Sequence, residues 1–148
     1  MRAKTTPLPG QLFDLQEALK ELVDELPSGD ARGIRISDAQ SDSLVRAPRH
    51  ELLFCVRSLF TYLIRHKSEL EPLLLEWKRY ADMVVILIAL PERVPASRLA
   101  PNPAVAAEFE LLLAEPVIND LMHRMAGSYV PDPPRRRFRL RFRAGERR

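Results

Sequence analysis

Residues 83–90 read MVVILIAL, and how these eight side chains are read decides the fold. As a helix they carry the preceding segment into the core of an α bundle. As a strand, their β-branched members Val84, Val85, Ile86 and Ile88 suit a buried sheet. A short continuous apolar run does not separate the two by periodicity alone. No turn signal brackets the run on its N-terminal side, so helix is the reading taken; a central strand would make the fold α+β or α/β instead. The run is too short to span a bilayer as a helix, which needs roughly 20 residues.

The neighbouring sequence supports the helical reading. Upstream, Ser68 followed by Glu71 has capping-box spacing, and Pro72 falls in a first turn, so a helix is predicted over about 69–82. Before it, HELLFCVRSLFTYLIRHK (50–67) places Leu52, Leu53, Val56, Leu59, Phe60, Leu63 and Ile64 on a broad apolar face. Arg57, Ser58, Thr61 and Arg65 mark its polar strip. Trp77 and Tyr80, three apart, read as core. In residues 11–26, Leu12, Leu15, Leu19, Leu22 and Leu26 form one helical stripe, ended by Pro27, Ser28 and Gly29. Residues 27–49 read as a polar loop in which GIRIS (33–37) can form a short strand.

Downstream, four prolines within 91–103 make a turn or rigid connector, after which Asn102 and Pro103 suit a helix start. A short helix follows, Glu115-Pro116 marks a boundary, and a last helix runs to Gly127, placed where a left-handed capping residue is expected. VPDPP (130–134) reads as a stiff spacer. The predicted fold is therefore mainly α: a single small bundle of about five helices with a long polar loop and a short β-like Arg-rich C-terminal segment. Its parts are a helical domain over 1–129, the spacer over 130–134 and a tail over 135–148.

The chain carries a formal net charge of +3, unevenly spread. Eight arginines and one glutamate lie in residues 135–148; fifteen basic and nineteen acidic side chains remain in residues 1–134. A mildly acidic body with a basic arm points to phosphate, acidic protein or anionic lipid. Between Arg137 and Arg143 arginine alternates with large apolar residues. In a strand, Arg137, Arg139, Arg141 and Arg143 point one way, and Phe138, Leu140 and Phe142 the other. Arginine forks suit phosphate. The apolar triplet must be buried, against the chain's own body, in a ribbon with GIRIS, or on a partner's sheet edge.

Signs of catalysis are sparse. The five glycines (10, 29, 33, 127, 145) form no phosphate-cradling loop. His50, His66 and His123 lack metal-ligand spacing, so neither a metal site nor a cofactor is expected. The acids of 14–25 read as a solvated face. Asp38, Ser41, Asp42 and Ser43 in the long loop could take a metal or a phosphate, though their spacing requires neither. Cys55, the single cysteine, reads as buried packing and fits a reducing compartment. With no secretory h-region and no membrane-length apolar run, a soluble intracellular protein is expected.

The expected function is a non-enzymatic helical adaptor within a larger assembly. Its tail arginines (Arg135, Arg136, Arg137, Arg139, Arg141, Arg143, Arg147, Arg148) would contact nucleic acid or an acidic partner, and Phe138, Leu140 and Phe142 would dock on a protein. The alternative is a protein-only scaffold or assembly subunit whose C-terminal strand docks on a partner, with no nucleic acid. A protein partner or a second copy is expected in either case.

Overall fold

The computed structural model describes residues 9–25, 34–36, 43–66, 73–90, 103–132 and 137–143. In chain order the elements are β1 (Gln11–Asp14), α1 (Leu15–Asp24), β2 (Ile34–Ile36), β3 (Leu44–Ala47), α2 (Arg49–His66), β4 (Leu73–Tyr80), β5 (Met83–Ala89), α3 (Pro103–Arg124), β6 (Ser128–Asp132) and β7 (Arg137–Arg143). Among the described residues three helices and seven strands stand in place of the expected bundle: the fold is α/β. Five strands form a mixed sheet in the order β2-β4-β5-β7-β6, and β1 and β3 form a separate antiparallel ribbon.

MVVILIAL is the central strand β5, paired antiparallel with β4 on one side and β7 on the other. The predicted helix over 69–82 is likewise the strand β4; Ser68, Glu71 and Pro72 lie outside the described residues. Trp77 faces inward from β4, 2% exposed, and its indole donates to Gln16 Oε1 at 2.7 Å. Tyr80, 57% exposed, points to the other side of the sheet and is not core. The turn between β4 and β5 holds Ala81 at φ 56°, a left-handed conformation costly for a residue with a Cβ. Ala81→Gly is expected to stabilise the protein by about 0.5–1 kcal/mol, read as a higher denaturation midpoint.

The tail alternation is the strand β7, and its partners differ from those foreseen. β7 lies between β5 and β6, and GIRIS supplies β2, parallel to β4. Residues 130–132 of the supposed spacer belong to β6, hydrogen-bonded to β7, so residues 130–132 and 137–143 are built into the sheet rather than projected from it. Phe138, Leu140 and Phe142 are 0% exposed. Phe138 meets Tyr62 edge-on at 5.6 Å and stacks on Tyr129 at 6.1 Å. These three side chains belong to the chain's own core and are not open to a partner.

The helices cover one face of this sheet. Leu52, Val56, Leu59, Phe60 and Leu63 of α2 are fully buried with Ile86, Ile88, Leu73 and Leu75 of the sheet. In α1, Leu15, Leu19 and Leu22 are buried as their spacing predicted, whereas Leu12 lies on β1, 45% exposed, and Leu26 is outside the described residues. The start of α1 is fixed by Asp14, whose carboxylate accepts from Glu17 N–H at 3.0 Å and from Ser43 Oγ at 2.8 Å.

The two helices expected on either side of Glu115-Pro116 are one helix, α3, running through Pro116. Proline removes the N–H that Leu112 would accept from; both residues are exposed, so water can satisfy that carbonyl and the break costs less than inside a core. At the helix end Gly127 N–H donates to Met122 O at 2.8 Å and Ala126 N–H to His123 O at 3.1 Å. This is a Schellman ending. Its left-handed residue is Ala126, at φ 57°, not Gly127 as the sequence suggested.

Candidate functional site

Two grooves flank α2 on the helical side. One, of about 370 Å³, lies against α1 and is lined by Glu21, Glu25, Arg49, His50, Leu53 and Arg57, among others. The second, of about 320 Å³, runs between α2 and α3, lined by Phe54, Arg57, Ser58, Thr61, Tyr62 and Arg65 from α2 and by Glu110, Leu111 and Ala114 from α3. The sequence drew the polar strip of α2 correctly: Arg57, Ser58, Thr61 and Arg65 all line this groove. What it did not reveal was the facing wall, because Glu110 pairs with Arg65 from 45 residues away.

The groove is basic and hydrogen-bonding on a largely apolar floor. Arg65 forms an ion pair with Glu110, tying α2 to α3, and Arg57 forms one with Glu25 at the end of α1. Both pairs are about half exposed, so each is worth only about 0–1 kcal/mol and the guanidiniums can exchange carboxylate for another anion at little cost. Ser58 Oγ donates to Phe54 O at 2.9 Å, the side chain bonding back along its own helix. The Phe54 ring is 44% exposed at the rim, a large apolar surface beside two cations. Tyr62 is buried, 4% exposed, and forms the floor.

Cys55 sits on the opposite, core side of α2. Burial pushes its thiol up to about 12 and the nearby Glu51 carboxylate adds to the shift. It is no nucleophile at neutral pH, as its sequence context suggested. The unfolded thiol ionises near 9.0 and the folded one near 12, so the folded state holds the extra proton across that window. The contribution is intact below pH 9 and is lost as pH rises toward 12. Stability is therefore expected to fall above pH 9, and Cys55→Ala to flatten that alkaline slope in urea titrations; thiol reagents should label Cys55 only on unfolding.

The histidines do not converge. His50 lines the α1–α2 groove, His123 is exposed near the end of α3, and the His66 side chain is outside the described residues. Among the described residues no three His, Cys, Asp or Glu side chains stand together to hold a metal ion. Asp38, Ser41 and Asp42 lie outside the described residues, and Ser43 is engaged with Asp14. Of the tail arginines, Arg137, Arg139, Arg141 and Arg143 line one face of the sheet, away from this groove, and Arg135, Arg136, Arg147 and Arg148 lie outside the described residues. No described helix is long and apolar enough to cross a membrane.

This arrangement, with helices on one face of a mixed sheet, is a fold that catalytic domains of histidine kinases share. The catalytic domain of histidine kinase ThkA, in a nucleotide-free form, matches with a TM-score of 0.68 at 10% identity, over 93% of this chain and 99% of that one. The Acinetobacter baumannii histidine kinase AdeS matches with a TM-score of 0.63 at 11% identity, over 94% of this chain and 69% of that one. A histidine kinase from Burkholderia phymatum matches with a TM-score of 0.59 at 14% identity, over 94% of this chain and 73% of that one. No family model matches the sequence, and no curated protein does. The likeness corrects the expectation of a non-enzymatic helical adaptor. That expectation rested on a bundle, and the fold found is one used by catalytic domains.

Proposed function

We propose that this chain is the nucleotide-binding module of a kinase-type enzyme and that the α2–α3 groove holds the nucleotide. The observation that carries the reading is the near end-to-end match to a histidine kinase catalytic domain, 93% of this chain on 99% of that one. The groove's size is at the lower end of small-ligand sites. Its residues fit the anionic part of such a ligand. Arg57 and Arg65 can each turn a planar fork to phosphate oxygens, Thr61 offers a hydroxyl, and Phe54 offers a flat apolar surface to a base. They do not fit a metal ion held by protein side chains, since no such cluster stands among the described residues. The work of these residues is therefore binding, orientation and charge neutralisation.

Calorimetric titration of ATP and of ADP into the full chain tests this reading. Saturable one-site binding is expected. Arg57→Glu combined with Arg65→Glu should weaken it by about ten- to a hundredfold, the equivalent of one charged hydrogen-bonding contact. Wild-type protein that takes up neither nucleotide at millimolar concentration would overturn the proposal.

A further inference from the structure

The groove leaves the other side of the sheet unassigned. The strand registers place its outward residues in rows. Glu76, Leu87, Arg139 and Val130 form one; Lys78, Val85, Arg141 and Ser128 the next; Tyr80, Met83 and Arg143 the last. Read along the strands, the same residues form columns. β5 presents Met83, Val85 and Leu87, each half-buried, and beside them β7 presents Arg137, Arg139, Arg141 and Arg143, each exposed. A shallow depression of about 140 Å³ sits where Lys78, Tyr80, Val85, Leu87 and Arg139 meet. Six cations face outward among the described residues, Arg35, Lys78 and the four β7 arginines, against Glu76 on the face and Asp82 in the adjoining turn. Asp82 is paired with Arg143 at 3.3 Å.

We propose that this face docks an acidic amphipathic helix of a partner protein. An apolar column and a cationic column about 4.8 Å apart call for a ligand with an apolar stripe and a parallel acidic stripe. Alternate arginines on a strand are spaced about 6.8 Å, close to the roughly 6 Å between residues four apart on a helix. A helix laid along the strands sets its apolar stripe on Met83, Val85 and Leu87 and its carboxylates on Arg139 and Arg141. Single-stranded nucleic acid is the poorer match: bases stack on aromatic rings, and the centre of this face is aliphatic, with Tyr80 at its end.

The test is fluorescence anisotropy of the full chain with three labelled probes: a designed Glu/Leu amphipathic helix, the same composition scrambled to spread its leucines around the helix, and a single-stranded oligonucleotide. The amphipathic helix should bind most tightly and weaken with salt. Arg139→Glu with Arg141→Glu should weaken it by about tenfold or more, and Leu87→Asp should weaken it as well. Thermal melts confirm that each variant is folded, and ATP titration of the same variants separates this face from the groove, whose binding should not change. The proposal is overturned if the folded variants bind the helix as the wild type does, if the scrambled peptide binds equally well, or if the oligonucleotide is the preferred probe.

Discussion

Gly127→Ala is expected to remove a large part of the protein's folding stability. A Cβ at residue 127 would lie 1.7 Å from the Arg141 carbonyl oxygen and 2.8 Å from the Phe142 Cα. Both are backbone atoms of β7, a strand hydrogen-bonded on both sides to β5 and β6, so no side chain can swing aside to make room. The clash can be relieved only by moving the end of α3 away from the sheet. That would also break the bond from Arg143 N–H to Met125 O. The loss should exceed about 4 kcal/mol, the range reserved for a few severe mechanisms, and a domain of this kind has only about 5–15 kcal/mol in total. Circular dichroism with urea titration measures it. A midpoint within error of wild type would mean that α3 does not pack against β7 this closely.

Phe138→Ala should cost about 3–5 kcal/mol. The ring is 0% exposed between Tyr62 of α2 and Tyr129 of β6, so its removal empties the place where helix and sheet meet. The same substitution separates the two readings of the C-terminal segment. A docking residue on a projecting arm could be truncated without loss of stability. A central-strand residue cannot, and deletion of everything after Pro134 should abolish cooperative unfolding, because it removes β7 from between β5 and β6.

Much of this was legible locally and little of it globally. The alternation of 137–143 predicted a strand with arginines on one side, and β7 is that strand. Its place inside the sheet was hidden, because β5, its partner, had been read as helix. MVVILIAL gives no alternation because β5 presents apolar residues on both faces: Val84, Ile86 and Ile88 in the core, Met83, Val85 and Leu87 on the half-buried outer face. Such a run is ambiguous by pattern. The hairpin signal that would have resolved it is muted, since Ala81 occupies the positive φ where glycine or asparagine would announce a turn. In β4 the sequence does alternate at Leu75, Glu76, Trp77 and Lys78, but the helix predicted there rested on the capping-box spacing of Ser68 and Glu71 and on Pro72. Pro116 misled in the opposite sense: an exposed proline was tolerated within α3. At the site, one wall was visible as the polar strip of α2. The other wall required knowing that residue 110 folds back against residue 65.

The measurement that tests the central claim most directly is amide shift mapping of the isotopically labelled full chain during titration with ATP. If the α2–α3 groove is a nucleotide site, shifts should concentrate on Phe54, Arg57, Ser58, Thr61, Arg65 and Glu110 and saturate together, while Arg139 and Arg141 on the far face stay still. Shifts confined to the arginine face of the sheet, or none at saturating nucleotide, would contradict it.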